Sequence, residues 1–139
     1  MEITSAALQT VANGQNVLFT ETPVSGSACV VHREGSGIIT LRGQTNQCRA
    51  RYRVSFGANI AVPDSGTAGA ISVALALNGE PLAASTAIVT PTAAAAFFNV
   101  SLDTFVEVPR GCCVTVAVEN TSGADISVQN ANLIAERVC

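Results

Sequence analysis

Residues 50–62 read ARYRVSFGANIAV. Tyr52, Val54, Phe56, Ala58 and Ile60 fall on one side of an extended chain, and Arg51, Arg53, Ser55, Gly57 and Asn59 on the other, because successive side chains of a strand point to opposite faces. One side is core. The other carries two arginines two positions apart and needs acidic partners, solvent or another molecule.

The same period of two recurs along the chain. In ISVALAL (71–77) Ile71, Val73, Leu75 and Leu77 share a face, and in CVTVAVE (113–119) Val114, Val116 and Val118 do. Helical spacing is nearly absent, and β-branched residues crowd the alternating segments. The sequence predicts strands at 17–22, 28–32, 38–41, 50–62, 70–77, 86–90, 97–108, 113–119 and 126–137. Turn-forming clusters separate them: EGSG (34–37), PDSGTAG (63–69), NGE (78–80), PRG (109–111) and NTSGAD (120–125). Asn78-Gly79 is the strongest tight-turn signal, and AAAA (93–96) reads as a loop or strand entry. Nine short strands at this spacing predict an all-β protein, a two-sheet antiparallel jelly-roll sandwich. The expected core is Tyr52, Val54, Phe56, Ile71, Val73, Leu75, Val114, Val116 and Val118. Residues 1–15, poor in strand signals, are expected to form an N-terminal arm or tether, with the jelly roll over 16–139.

With 139 residues, one domain can bury a full core without staples. Apolar residues make up 48% and charged residues 12%, about half the usual charged share, which points to surface hidden in an assembly. Ala70, Ser72, Ala74 and Ala76, the small residues opposite the bulky side of 71–77, are the expected place to hide it. All seven cationic residues are arginine, and with ten acidic residues the net charge is −3. That balance leaves no broad basic footprint for nucleic acid. Arg51 and Arg53 face either solvent or acidic residues across a subunit boundary. The N-terminus shows no apolar run of signal-peptide length and no segment approaches a membrane span, so the expectation is synthesis in a cytoplasm without membrane insertion.

Cys29, Cys48, Cys112, Cys113 and Cys139 form no CxxC pair and are expected to be reduced, small buried hydrophobes rather than disulfides or metal ligands. The single histidine, His32, would need Asp64, Asp103 or Asp125 from distant segments to build a triad, and no G-x-S-x-G nucleophile motif supports one. No catalytic, cofactor-binding or metal-ligating set is expected; Asp64 and Asp125, the acidic residues of two turns, lack the alternating ligands of a calcium loop. The triplets Asn99-Val100-Ser101 and Asn120-Thr121-Ser122 match the glycosylation pattern and are read as chance.

The segments GSGIITLRG, ARYRVSFGANIAV, ISVALALNGEPL, FVEVPRGCCVTVAVEN and NANLIAERV, spanning 35–138, resemble the jelly-roll family that includes tumour necrosis factor and the globular heads of complement-type collagenous proteins. The likeness is greatest to its bacterial and phage branch, similar to the C-terminal domain of the collagen-like glycoprotein of spore exosporia. Tyr52, Val54 and Phe56 occupy the positions of that family's core strand, with Ala50 where its glycine usually stands. The resemblance implies a compact homotrimer without enzymatic activity or cofactor. The expected function is a structural protein outside a particle, a phage capsid decoration or fibre head on a virion, contacting other structural proteins of the virion or surface layer. The alternative is an adhesin module that grips a glycan or host receptor on a virion or spore surface through PDSGTAG and NTSGAD.

Overall fold

The computed structural model describes residues 1–26 and 28–138. Eleven strands form among them: β1 Glu2–Ser5, β2 Gln9–Val11, β3 Glu21–Val24, β4 Val30–His32, β5 Ile38–Arg42, β6 Arg49–Ala61, β7 Ile71–Leu77, β8 Glu80–Val89, β9 Phe98–Pro109, β10 Cys113–Asn120 and β11 Ile126–Val138. They build two antiparallel sheets. The first runs β3-β1-β11-β6-β9, with β2 paired to β11 beyond the end of β1; the second runs β4-β5-β10-β7-β8. This is the jelly roll the alternation predicts.

β6, like its neighbour β11, is a thirteen-residue interior strand of the first sheet, and it pairs along almost its whole length with β9 and β11. Its inner row, Ala50 through Ile60, is buried. Val73, Leu75, Val116 and Val118 of the second sheet close the sandwich from the other side, and the Phe56 ring meets Phe19 edge-on at 6.4 Å between centroids, a favoured aromatic geometry. Eight of the nine expected core residues are buried; Val114, near the start of β10, is half-buried against the cluster. Tyr52 is buried to the ring edge, and its hydroxyl donates to the Arg42 carbonyl at 2.6 Å.

Three expectations change. Residues 1–15, expected as an arm, supply β1 and β2, with Ile3 and Val11 buried; EITS and QTV are too short to display a period of two. Val17 and Phe19, in the strand expected at 17–22, are buried, but the paired strand lies further on, at Glu21–Val24. β8 begins at Glu80 rather than at residue 86, directly after a turn in which Asn78 and Gly79 both have positive φ, at 52° and 85°. That is the type I′ geometry that the Asn-Gly pair announces; EPLAAS, rich in alanine, hides its strand character.

The stripe at Ala70, Ser72, Ala74 and Ala76 is open only at Ala70, before β7 begins, with Ser72 half-buried. Ala74 and Ala76 are buried within the single chain. They stand on an inner strand between Glu119 and Ala117 of β10 and Thr86 and Pro81 of β8, whose register shifts between those last two residues. Strands on both sides cover a methyl group in mid-sheet, so Ala74 and Ala76 need no second subunit to leave water.

Two chain reversals meet at Gly43. Its N–H donates to Cys112 O and its own carbonyl accepts from Gly111 N–H, and a Cβ there would sit 2.1 Å from Pro109 O. Only glycine allows this approach. Gly43→Ala is therefore expected to destabilise the chain by about 2 kcal/mol or more. Phe56→Ala, which empties a core position, is expected to cost about 3–5 kcal/mol. Denaturant titration with unchanged m-values measures both, and a loss under 1 kcal/mol for Phe56→Ala would contradict this packing.

Candidate functional site

The register assigns each connection to one of two ends. Arg49 pairs with Pro109, Cys113 with Arg42, and Val138 with Arg51, so segments 43–48 and 109–112 share one end with Cys29 and the close of β11. Segments 62–70, 90–97 and 121–125 share the opposite end, the loop end.

The outward row of β6 meets acids of its own chain. Arg53 donates to both carboxylate oxygens of Asp103, at 3.2 and 2.7 Å, and Ser55 adds a bond of 3.1 Å. Arg49 and Arg51 share Glu107, one on each oxygen. Both acids stand on β9, so the ion pairs run across one strand pair and not across a subunit boundary. Cross-strand spacing alone brings the partners together. The Arg53 hydrogen bonds hold the Asp103 carboxyl below its ordinary range, and those from Arg49 and then Arg51 do the same for Glu107. All five side chains are substantially exposed, which keeps their contribution to stability small. Val24, Ile134 and Phe105 share this outward face, opposite Glu2, Ser55 and Arg53 in the register. Phe105 is 63% exposed, an unusual state for phenylalanine in mid-strand.

At the loop end the turns at 63–69 and 120–125 come together around a hollow of about 260 Å³ lined by Ser65, Thr67 and Asp125, with Val62 and Ile71 at its base. A smaller hollow of about 120 Å³ adjoins it through Val62, with Asp64 beside Phe97 and Leu8. Asn120 holds this end. Its side chain is fully buried; Nδ2 donates to Val11 O and Ala124 O at 2.9 and 2.8 Å, and Oδ1 accepts from Ser122 N–H. The glycosylation triplet at Asn120 is thereby closed to modification. Nothing in the sequence marks Asn120 apart from its place in a turn-forming cluster. Phe97 was legible only as the start of a strand.

The triad candidates lie apart. His32 ends β4 at the edge of the second sheet, with Nε2 3.0 Å from Ser36 O and Nδ1 buried without a hydrogen-bond partner among the described residues. Asp103 belongs to the outward face of the first sheet, and Asp64 and Asp125 to the loop end. The described residues contain no group of three or more His, Cys, Asp or Glu placed to hold a metal.

The cysteines depart from expectation. Cys48, Cys112 and Cys113 are exposed and Cys29 is half-buried; Cys139 lies outside the described residues. Cys48, Cys112 and Cys113 occupy turns and a strand start, not inward positions of strands, which is why they escape the core, whereas Cys29 packs against its edge. Cys29 Sγ lies 3.5 Å from Gln44 Oε1 and 3.9 Å from an Arg137 nitrogen.

No protein-family model and no curated protein sequence matches the chain. Among solved structures, the globular domain of zebrafish complement 1qA protein is similar at 14% identity, with a TM-score of 0.59 over 96% of this chain and 93% of that one. The C-terminal domain of EclA, described as a sugar-binding protein, matches at 20% identity and a TM-score of 0.43 over 95% of this chain and 80% of that one. The CBM35 module of Cellvibrio japonicus Abf62 matches at 9% identity and 0.41 over 100% and 98%. The chain has the tumour necrosis factor-like jelly-roll fold of the complement globular heads.

Two outcomes test this geometry. Because its folded pKa is depressed, Asp103 contributes stability above the ordinary carboxylate pKa of about 4 and loses it as pH falls through the lower folded value. Carboxyl-carbon NMR is expected to place its midpoint below that of a free aspartate, and Arg53→Gln to move it back up; an unmoved midpoint refutes the pairing. Asn120→Ala, which strips partners from buried backbone groups, is expected to cost about 1–3 kcal/mol and to speed hydrogen exchange at Ser122. Unchanged exchange there would show that Asn120 does not hold the loops.

Proposed function

We propose that this chain is a non-enzymatic, homotrimeric structural protein displayed on the outside of a particle, a phage capsid decoration or fibre head on a virion. The observation that carries the reading is the outward face of the first sheet. Phe105, Ile134 and Val24 stand there in solvent among ion pairs already satisfied within the chain. A face whose charges are internally paired and whose large apolar groups are not is suited to close against copies of itself. The resemblance to tumour necrosis factor-like heads supplies the threefold arrangement, and the low charged fraction agrees with buried surface. A stable trimer would bury well over ~2,000 Å². Threefold closure about this face leaves both ends of each jelly roll open, one to dock and one to display.

A second reading, an adhesin for a glycan or a host receptor, draws on the loop end. There Phe97 offers a ring and Asp64 and Asp125 offer carboxylates around adjoining hollows. A pyranose presents an apolar face and vicinal hydroxyls, which such a mixture accommodates.

Multi-angle light scattering under reducing conditions at low micromolar concentration is expected to give three times the chain mass, and Phe105→Asp to give monomer with an unchanged far-UV spectrum. A monomeric wild-type protein overturns the assembly reading. Immunogold labelling of purified particles then places the protein on or off their exterior. A glycan array with signals lost in Phe97→Ala, from an otherwise intact protein, would favour the adhesin.

A further inference from the structure

Of five cysteines spread over 139 residues of sequence, the four described ones converge on one end of the sandwich. Cys29 precedes β4, Cys48 precedes β6, Cys112 precedes β10 and Cys113 opens it. The register makes these neighbouring positions: Arg110 N–H donates to Cys48 O, Gly43 N–H to Cys112 O, and Arg42 N–H to Cys29 O. Cys48 lines a hollow of about 380 Å³ with Arg49, Glu107 and Pro109. Cys112 and Cys113 line another of about 370 Å³ with Arg42 and Gln44. The opposite end, equally rich in turns, has none. An exposed thiol is chemically exposed as well, to oxidation and exchange, and three stand in solvent together.

We infer that the cysteine end is a covalent docking face, where Cys48, Cys112 and Cys113 form disulfides with the same end of a second copy of this chain. An isologous contact sets identical patches against each other, so thiols meet thiols without any other cysteine-bearing partner. The odd count assists: however the five pair internally, at least one is left over for a bond between chains. In each bond two thiols give up two protons and two electrons as sulfur joins sulfur. The electrons pass to dioxygen, giving hydrogen peroxide, or to a low-molecular-weight disulfide, which leaves as two thiols. The face lies across the strand ends and meets the outward side of the first sheet only where Arg49 and Glu107 flank Cys48, away from Phe105 and Ile134 in mid-strand, so it does not require the chain to close as a trimer. In a trimer it would join two heads end to end.

The experiment equilibrates full-length chain, half of it labelled with ¹⁵N, at low micromolar concentration in a reduced and oxidised glutathione mixture. Thiols are then alkylated, and products are read by non-reducing gel and peptide mass mapping. Faces that associate hold their thiols at high effective concentration and outcompete glutathione; random encounters do not. Dithiothreitol-sensitive dimers or larger species at least tenfold in excess of glutathione adducts are expected, with light–heavy cross-links at Cys48, Cys112 or Cys113. The Cys48→Ser/Cys112→Ser/Cys113→Ser variant should give none while keeping its far-UV spectrum. If that variant misfolds, the wild-type cross-link map decides alone. Reduced or glutathionylated monomer, disulfides confined within one chain, or cross-links only through Cys29 or Cys139 would each overturn the inference. Light scattering under reducing conditions reads the trimer separately, so either idea can fail without the other.

Discussion

The structure depends on the burial of one side of β6. Tyr52, Val54, Phe56, Ala58 and Ile60 are removed from water only if β9 and β11 flank the strand and the second sheet covers it. A slip of one residue would carry Arg51 and Arg53 into the core and the apolar row into solvent. Register is therefore specified along thirteen residues, and every cross-strand neighbour is specified with it. The arginine–carboxylate pairs are a product of that constraint, since Asp103 and Glu107 have to stand beside Arg53 and Arg51 once Phe56 stands opposite Leu102.

The same constraint distributes the chemistry. With the middle of the sandwich given over to packing, turns gather at the two ends, and each end takes the character of the residues that its turns contain. One collects Asp64, Asp125 and Phe97 around shallow hollows. The other collects thiols and arginines. Tyr52 links core and rim, its ring in the apolar layer, its hydroxyl on the Arg42 carbonyl and the Arg137 guanidinium 5.8 Å from its centroid. Burial raises its pKa and keeps it a hydrogen-bond donor.

Where a strand was long and half-buried, the sequence displayed it: β6, β7, β9, β10 and β11 carry enough alternations to stand out from chance. β1 and β2 were illegible because three or four residues hold at most two alternations, and their stability comes from the partner β11. The alanines of β7 misled for a related reason, since small residues in mid-sheet read as an open face until the strands that flank them are known. The arginines announced a need for acids but not which acids, because a partner 50 or more residues away is set by register. Five cysteines without spacing pattern read as core until the fold showed Cys48, Cys112 and Cys113 in solvent. Asn120 looked like any turn residue because two of its three hydrogen bonds are local, to Ala124 and Ser122, and the third reaches Val11 O, which only the fold brings near.

β11 pairs with β1, with a hydrogen bond from Met1 to Ala135 that spans 134 residues of chain. The first sheet thus cannot close until nearly the whole sequence has emerged, and until then β6 presents an unpaired edge on the side that β11 will occupy. Contacts so distant in sequence slow folding, toward the millisecond-to-second range of all-β domains. An edge left open that long invites pairing with another nascent chain. The protein's vulnerability is then kinetic, and its yield in a cell depends on how crowded with copies of itself the chain is while its last strand is being made.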